Sequence, residues 1–245
     1  MYPILFKFGF LQIYSYGLMV ALAFWVSVSL LARRGYVLGL GRDFFWNLSF
    51  WALSGGILGG RLMYVLLNLD FFLKDPLEIF KLWHGGLVWY GGFIAGLLSA
   101  VFYLKRNNAP ILKTLDLAAP FIALAHSIGR IGCFLNGCCY GRPVSWGVYF
   151  PQHYERLIPA QLISSIDLLA IFIILRFLEE RPHRPGSIVV YYLLFSSLER
   201  FLAEFLRDDS ARNFFGLTIF QLISIVIFIS AVILWFTTLR FPRKT

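Results

Sequence analysis

Seven apolar runs of about 20 residues each constrain this chain more than any other feature of its sequence. A run of that length can cross a bilayer as a helix, because a helix satisfies its own backbone hydrogen bonds. We therefore predict an all-α polytopic membrane protein, with a single integral membrane domain over residues 1–245. The predicted transmembrane helices cover residues 14–31, 44–67, 86–104, 115–135, 160–178, 187–206 and 216–239.

The composition agrees with a multi-pass membrane protein. The chain is 59% hydrophobic and only 14% charged, whereas about a quarter of the residues in a soluble domain are charged. The net charge of +9 does not indicate nucleic acid as a partner, because the basic residues lie between apolar segments. That pattern sets the orientation of membrane proteins and attracts anionic lipid. The N-terminal sequence does not predict a removable signal peptide.

Charge in the loops predicts an orientation. Lys and Arg are more numerous after the first, third, fifth and seventh apolar segments than in the loops on the other side. The positive-inside rule then places the N-terminus outside and the C-terminus in the cytoplasm. The outer loops at residues 70–86 and 141–159 are long and rich in aromatic residues. We expect them to form a small outer cap of interfacial helices or strands, with the active surface on that side.

Ionisable residues inside apolar segments are costly and mark functional sites. Arg61 follows two overlapping pairs of small residues, Gly55 with Gly59 and Gly56 with Gly60, whose spacing is typical of closely packed membrane helices. Apolar residues continue beyond Arg61, which argues against a side chain that simply reaches the interface. We predict that Arg61 contributes to substrate binding.

His126 and Arg130 are four residues apart and share one helix face. The pair can join two helices through polar contacts. Alternatively it can form an anion site, in which the Arg130 guanidinium binds phosphate with two parallel donors. The anion site is favoured for Arg130, and both interpretations remain open for His126.

Arg200, Glu204 and Arg207 form a second polar stripe on one helix face. They form either a structural ladder of ion pairs or part of the same anion site. In the second case Arg130 and Arg200 bind one phosphodiester, and Glu204 holds the arginines in place. Two nearby acidic residues are expected to be peripheral: Glu199 and Asp208.

Cys133, Cys138 and Cys139 are the three cysteines of the chain. Their spacing does not match a C-x₂-C metal knuckle, and three thiols are fewer than a structural zinc site uses, so no metal site is predicted. A reactive thiol or a vicinal disulfide is an alternative, but small packing residues near a helix end are favoured. Motifs for nucleotide hydrolysis, serine proteolysis and zinc proteolysis are missing from the sequence, and no cofactor is expected.

The stretch "GRIGCFLNGCCYGRP" at residues 129–143, with "DLAAP" at 116–120, resembles the signature of the prolipoprotein diacylglyceryl transferases. That signature is roughly G-R-x-G-N-F-x-N-x-E-x-x-G-R. Further resemblances follow the family's order: "YSYGLM" at 14–19, "LGGRLMYVL" at 58–66, "DPLEIFKLWHGGLVWYGG" at 75–92 and "RFLAEFLR" at 200–207. The chain is identified by these motifs as a divergent member of that family.

The resemblance implies an enzyme that transfers the diacylglyceryl group of phosphatidylglycerol to the lipobox cysteine thiol of prolipoproteins. It implies a bacterial cytoplasmic (inner) membrane location, lipoprotein biogenesis, and the signal peptides of exported prolipoproteins as partners besides membrane lipid. Arg130 matches the family's phosphatidylglycerol-binding arginine. Other motif positions are matched by Tyr16, Asn136, Gly141, Arg200, Glu204 and Arg207.

The sequence also departs from the family pattern. The histidine of the family's H-G-G motif falls on Tyr90, and a tyrosine is a poor base at neutral pH because its ordinary pKa is about 10. Tyr90 and His126 are both retained as candidate bases. Other departures are Cys133 for asparagine, Cys138 for glutamate and Ser196 for tyrosine. They leave two alternatives: a paralogue with another acceptor, and a non-catalytic phospholipid-binding membrane protein.

Overall fold

The computed structural model describes residues 1–8, 11–81, 85–208, 212–214 and 216–240, most of which are helical. Each of the seven apolar segments forms a long helix. The helices are α1 (Ser15–Arg34), α2 (Arg42–Leu67), the short α3 (Leu69–Phe72), α4 (Trp89–Arg106), α5 (Ile111–Asn136), α6 (Ala160–Glu179), α7 (Ser187–Leu206) and α8 (Ile219–Leu234).

Among the described residues, five helical segments are long and apolar enough to cross a membrane. The other two long helices are α4 and α7, and α7 carries the charged residues Glu199, Arg200 and Glu204. The prediction of a helical multi-pass protein is therefore confirmed, whereas the number of seven spans and the orientation remain predictions. The five segments are Ser15–Leu38, Arg42–Leu67, Ile111–Asn136, Ala160–Glu179 and Ile219–Thr237.

Short strands occur in three antiparallel hairpins of the described chain. The hairpin within residues 141–159 is one of the two structures expected of that loop. The other expected cap segment, around residues 70–86, contains α3 and the 3₁₀ turn Pro76–Phe80. The other two hairpins were not predicted, because such short apolar runs do not distinguish a strand from a helix. The pairs are β1 (Ile4–Phe8) with β2 (Leu11–Tyr14), β3 (Pro143–Phe150) with β4 (Glu155–Leu157), and β5 (Arg212–Phe214) with β6 (Leu217–Thr218).

The chain forms two compact units. The larger unit comprises Met1–Leu31 and Leu115–Thr245, and the smaller unit comprises Ala32–Thr114. The single membrane domain over residues 1–245 stays a prediction.

In the smaller unit, glycines bring α2 and α4 into direct backbone contact. A Cβ added to Gly59 would lie 2.2 Å from the Ala95 Cβ and 2.6 Å from the Gly91 carbonyl oxygen, and one on Gly55 would lie 2.1 Å from the Ser99 Oγ. No larger side chain fits at such a crossing. The predicted packing role of these glycines is confirmed, and α4 is the partner helix.

In the larger unit, α5 and α6 are joined by two serines. Ser127 Oγ donates to the Ser165 carbonyl oxygen at 2.8 Å, and Ser165 Oγ donates to the Ser127 carbonyl oxygen at 2.9 Å. Small side chains allow this close approach, and the hydrogen bonds satisfy hydroxyls that a lipid environment cannot. An apolar cluster lies on the same helices and on α7: Ala119, Ala123, Leu168, Ile171, Leu175 and Ile188.

Asp116 on α5 caps the N-terminus of α7. The N–H of Gly186 donates to Asp116 Oδ2 at 2.6 Å, and the N–H of Val189 donates to Oδ1 at 3.0 Å. The first N–H groups of a helix have no partner within the helix. Since Gly186 at the N-cap has no side chain to supply one, Asp116 of the neighbouring helix does so.

Candidate active site

An ion-pair network runs along one face of α7 near its C-terminal end. Arg200 Nη2 lies 3.0 Å from Glu204 Oε2, and Arg207 Nε lies 3.9 Å from the same oxygen. The Glu204 side chain is fully buried in the larger unit. A buried carboxylate is stable only with charged partners, so Glu204 fixes both arginines relative to each other.

Arg200 retains a donor for a further ligand. Its Nη1 is buried and has no hydrogen-bond partner among the described residues. The guanidinium carbon lies 4.7 Å from the centre of the Phe220 ring on α8, so the ring supports one face of the planar group. Because the group is held by Glu204 and Phe220, Nη1 has a fixed direction in which to donate.

Arg130 and His126 on α5 lie in the same region of the larger unit. The positive charge of Arg130 lies near enough to repel that of Arg200 on α7, and it also disfavours a positive charge on His126, one turn earlier on its own helix. The His126 Nδ1 lies 3.3 Å from the hydroxyl of Tyr192 on α7. The structure thus brings together three predicted site residues, His126, Arg130 and Arg200. His126 is exposed and the two arginines are half-buried, so a ligand can reach them.

Glu199 is buried next to both arginines. It interacts electrostatically with Arg130 and Arg200 and contacts the Ser164 side chain on α6. Its Oε1 has no hydrogen-bond partner among the described residues. The expectation that Glu199 is peripheral was therefore wrong, because α7 turns this residue towards α5 and α6. Asp208 lies just beyond the end of α7 and is exposed, as expected.

Tyr16 approaches α5 where the cysteines lie. A Cβ added to Gly132 would lie 3.4 Å from the Tyr16 Cδ2 and 2.9 Å from the Met19 Cβ, so α1 packs closely on α5 here. Tyr16 interacts electrostatically with Arg130 and with the three cysteines. Tyr16 therefore lies beside the arginine and thiol groups.

Asn136 and Gly141 lie at the end of α5, where several elements are joined. The side chain of Asn136 hydrogen-bonds to Cys138. Gly141 forms a β-bridge with Arg207, and its N–H donates to the Ile158 carbonyl oxygen at 2.9 Å. A Cβ on Gly141 would lie 2.7 Å from both the Ile158 Cβ and the Leu206 carbonyl oxygen. The glycine is thus required for the backbones to meet.

Comparison with known proteins identifies the family. The family model described as prolipoprotein diacylglyceryl transferase matches residues 3–237. The chain belongs to this family. A phosphatidylglycerol–prolipoprotein diacylglyceryl transferase of Clostridium tetani is 38% identical over 234 residues, which cover 92% of this chain and 93% of the relative. One of Aeromonas hydrophila is 37% identical over 244 residues, 95% and 89% of the two chains. One of Bordetella avium is 34% identical over 253 residues, 97% and 95%.

Two predicted site residues of this transferase family member lie in the smaller unit. Tyr90 is in the first turn of α4 and is exposed, and it is followed by Gly91 and Gly92, which contact α2. Its role as a candidate base stays a prediction. Tyr90 belongs to the smaller unit and Arg130 to the larger unit.

Arg61 is almost fully buried, and its guanidinium serves the backbone of a loop. Nε donates to the Ile79 carbonyl oxygen at 3.0 Å, and the terminal nitrogens donate to four further carbonyls, those of Glu78, Lys81, Gly85 and Gly86. The rings of Tyr64 and Phe72 lie against the same group. This arrangement fixes the described residues on both sides of positions 82–84, ahead of α4. Direct substrate binding by Arg61, as predicted, would compete with these bonds.

Sequence reasoning missed several residues that the structure places near the arginines. Glu199, Ser164 and Tyr192 contact the site from α6 and α7. Glu199 stands next to Arg200 in the sequence, but the direction of its side chain depends on the rotation of α7 about its axis. The convergence of the three cysteine sulfurs was also missed, because it depends on how the chain turns after α5.

Proposed function

We propose that this chain transfers the diacylglyceryl group of phosphatidylglycerol to the lipobox cysteine thiol of prolipoproteins and releases glycerol-1-phosphate. Membership of the transferase family and the activity of its named relatives support this proposal. No cofactor has a part in the proposal. The single observation that carries the site assignment is the grouping of Arg130 and Arg200, with a free donor on Arg200, in one region of the larger unit.

The phosphodiester of the lipid would bind between the two arginines. Arg200 Nη1 donates to one phosphate oxygen, and the Arg130 guanidinium donates to another. Glu204 keeps the Arg200 guanidinium in place at 3.0 Å, so little reorganisation is needed when charge develops on the phosphate. Donors held in advance near a leaving phosphate stabilise the transition state more than mobile donors do.

The transfer step forms a carbon–sulfur bond. The thiolate sulfur of the acceptor attacks the glyceryl carbon that carries the phosphate, and the carbon–oxygen bond breaks as the carbon–sulfur bond forms. The electron pair of the broken carbon–oxygen bond leaves with the phosphate, and the two arginines offset the growing negative charge. The thiol proton passes to a base, since the thiolate is the nucleophile. His126 is the proposed base in the larger unit, and Tyr90 at the family's histidine position is the second candidate.

The proposed setting is a bacterial cytoplasmic membrane crossed by all seven long helices, with the N-terminus outside. The larger unit supports an outer cap, because one end of it gathers segments from several elements. The backbone N–H of Tyr2 donates to the Leu135 carbonyl oxygen, and the backbone N–H of Arg142 donates to the Leu206 carbonyl oxygen. Reporter fusions after Arg207 and after Thr245 test the topology, and an external C-terminus would contradict it.

Complementation tests the activity. The gene is expressed in a bacterium depleted of its own transferase, and the lipoproteins are examined for a diacylglyceryl mass increment. We expect growth and modified lipoproteins. A correctly inserted protein that restores neither would refute the transferase proposal. If phosphatidylglycerol co-purifies with such a protein, the non-catalytic phospholipid-binding alternative is supported instead. An increment on another acceptor supports the paralogue.

A further inference from the structure

The three thiols at the end of α5 have no part in the proposed transfer reaction. Cys133 lies in the last turn of the helix, and Cys138 and Cys139 follow it. Their sulfur atoms all lie within 4.8 Å of one another, and each of the three is partly buried and free of a disulfide. The chain holds no other cysteine. A cluster that includes every thiol of a chain therefore stands beside the proposed lipid site.

The turn after α5 brings the sulfurs together. The N–H groups of Gly137 and Cys138 donate to the Cys133 carbonyl oxygen at 3.0 and 3.2 Å, which closes the helix end. Gly137 has φ +79° and Cys139 has φ +62°, and a positive φ is unfavourable for a residue with a side chain. The reversal directs Cys138 and Cys139 back towards Cys133. The spacing in the sequence hides this arrangement, because it resembles no standard metal knuckle.

The sulfur positions suit a metal ion. A zinc–sulfur bond is about 2.3 Å long, so three sulfurs around one ion lie roughly 4 Å apart. The observed limit of 4.8 Å therefore requires only small side-chain movements. Thiolates select soft metal ions over Mg²⁺ and Ca²⁺. Three thiolates around a divalent ion carry one net negative charge. The Tyr16 hydroxyl is influenced electrostatically both by Arg130 and by the three thiols. A positive side chain therefore lies near the negative charge that the metal–thiolate group would carry.

We propose that Cys133, Cys138 and Cys139 form a three-thiolate site for a soft divalent metal ion of the zinc and cadmium class. Two of these positions carry asparagine and glutamate in the family signature, so the site belongs to this chain and not to the common signature. Each thiol loses its proton when the ion binds, and the three protons go to the buffer. Three protein ligands leave a fourth position on the ion for water. The proposal does not depend on transferase activity.

Cadmium titration of the purified, reduced protein in detergent tests this site. The readouts are the ultraviolet charge-transfer absorption of cadmium thiolates and the stoichiometry of binding. We expect one Cd²⁺ per chain, with zinc competing for it. Each single substitution, Cys133→Ser, Cys138→Ser and Cys139→Ser, should weaken binding at least about tenfold. The triple serine variant should lose the signal, since it has no remaining thiol.

A second measurement needs no variant. N-Ethylmaleimide should modify three thiols of the unliganded wild-type protein, and Cd²⁺ should protect all three, as counted by mass spectrometry. Maleimide labelling that Cd²⁺ does not reduce would overturn the proposal. A charge-transfer signal that survives any one serine substitution unchanged would also overturn it, because the site would then be a two-thiol site. If the wild-type protein binds cadmium but modifies no lipoprotein, the result counts against the proposed transferase function alone.

Discussion

The Nη2 of Arg200 lies 3.0 Å from Oε2 of Glu204, one turn further along α7, and the Glu204 side chain is fully buried. Removing one partner of a buried ion pair leaves the other charge without compensation, at a cost of about 3–5 kcal/mol. We predict that Glu204→Gln lowers the thermal stability of the protein in detergent. Because Arg200 loses its fixed direction, the transfer rate should fall about 100-fold.

The matched control is Glu180→Gln. Glu180 pairs with Arg176 at the same i, i+4 spacing, but its side chain is 60% exposed. Solvent screens such pairs, so stability should change by less than about 0.5 kcal/mol and activity should remain. Equal effects of the two substitutions on transfer would show that Glu204 does not position Arg200.

Glu199 places a negative charge beside both arginines of the site. Glu199→Gln removes that charge with little change of shape. Since the carboxylate competes with a lipid phosphate for the arginines, we expect a lower KM for phosphatidylglycerol and a lower unfolding temperature. The exposed Asp208→Asn serves as control and should change neither. A higher KM in Glu199→Gln would indicate that Glu199 supports lipid binding in another way.

Gly59 has no room for a side chain at the crossing of α2 and α4. Gly59→Ala should therefore destabilise the protein by about 1–3 kcal/mol through overpacking, measured as a lower unfolding temperature. In α1, a Cβ on Gly17 meets nothing within 4 Å. Gly17→Ala should be neutral or slightly stabilising, because alanine is the better helix former. If both variants unfold alike, the close crossing is not needed for stability.

Asp116 caps α7 from the neighbouring helix. Asp116→Ala leaves the N–H groups of Gly186 and Val189 without their acceptor, and losing a cap costs about 0.5–2 kcal/mol. Thermal unfolding in detergent should show this loss. Asp43 in the first turn of α2 is exposed, and Asp43→Ala should cost less. A fall in transfer without a fall in stability would point to a different role for Asp116.

The sequence predicted those parts of the fold that depend on local pattern. Apolar length located the seven long helices, and glycine spacing indicated a close crossing in α2. The sequence could not identify α4 as the partner of Gly59, because the contact joins residues that are distant along the chain. The hairpin of Ile4–Phe8 with Leu11–Tyr14 was missed because strands of four or five residues carry no distinctive period.

Site residues could be predicted from the sequence where a charged residue interrupts an apolar segment. Contacts that depend on the direction of a side chain in the fold could not. Arg130 and Arg200 stood out because charges in apolar segments are costly. The environment of Arg61 could not be read from the sequence, since its acceptors are backbone carbonyls of a loop and not side chains. The direction of Glu199 depends on the rotation of α7, and the meeting of the cysteines depends on a positive φ at Cys139.

The most direct test of the account is the mass of a lipobox peptide after incubation with phosphatidylglycerol and purified protein. The wild-type protein should add one diacylglyceryl group to the cysteine. Arg130→Ala should abolish the addition, and Arg130→Lys should be severely impaired, since lysine lacks the two parallel donors of the guanidinium. Full activity of a folded Arg130→Ala variant would contradict the phosphate site. An unmodified peptide with folded wild-type protein would contradict the transferase account itself.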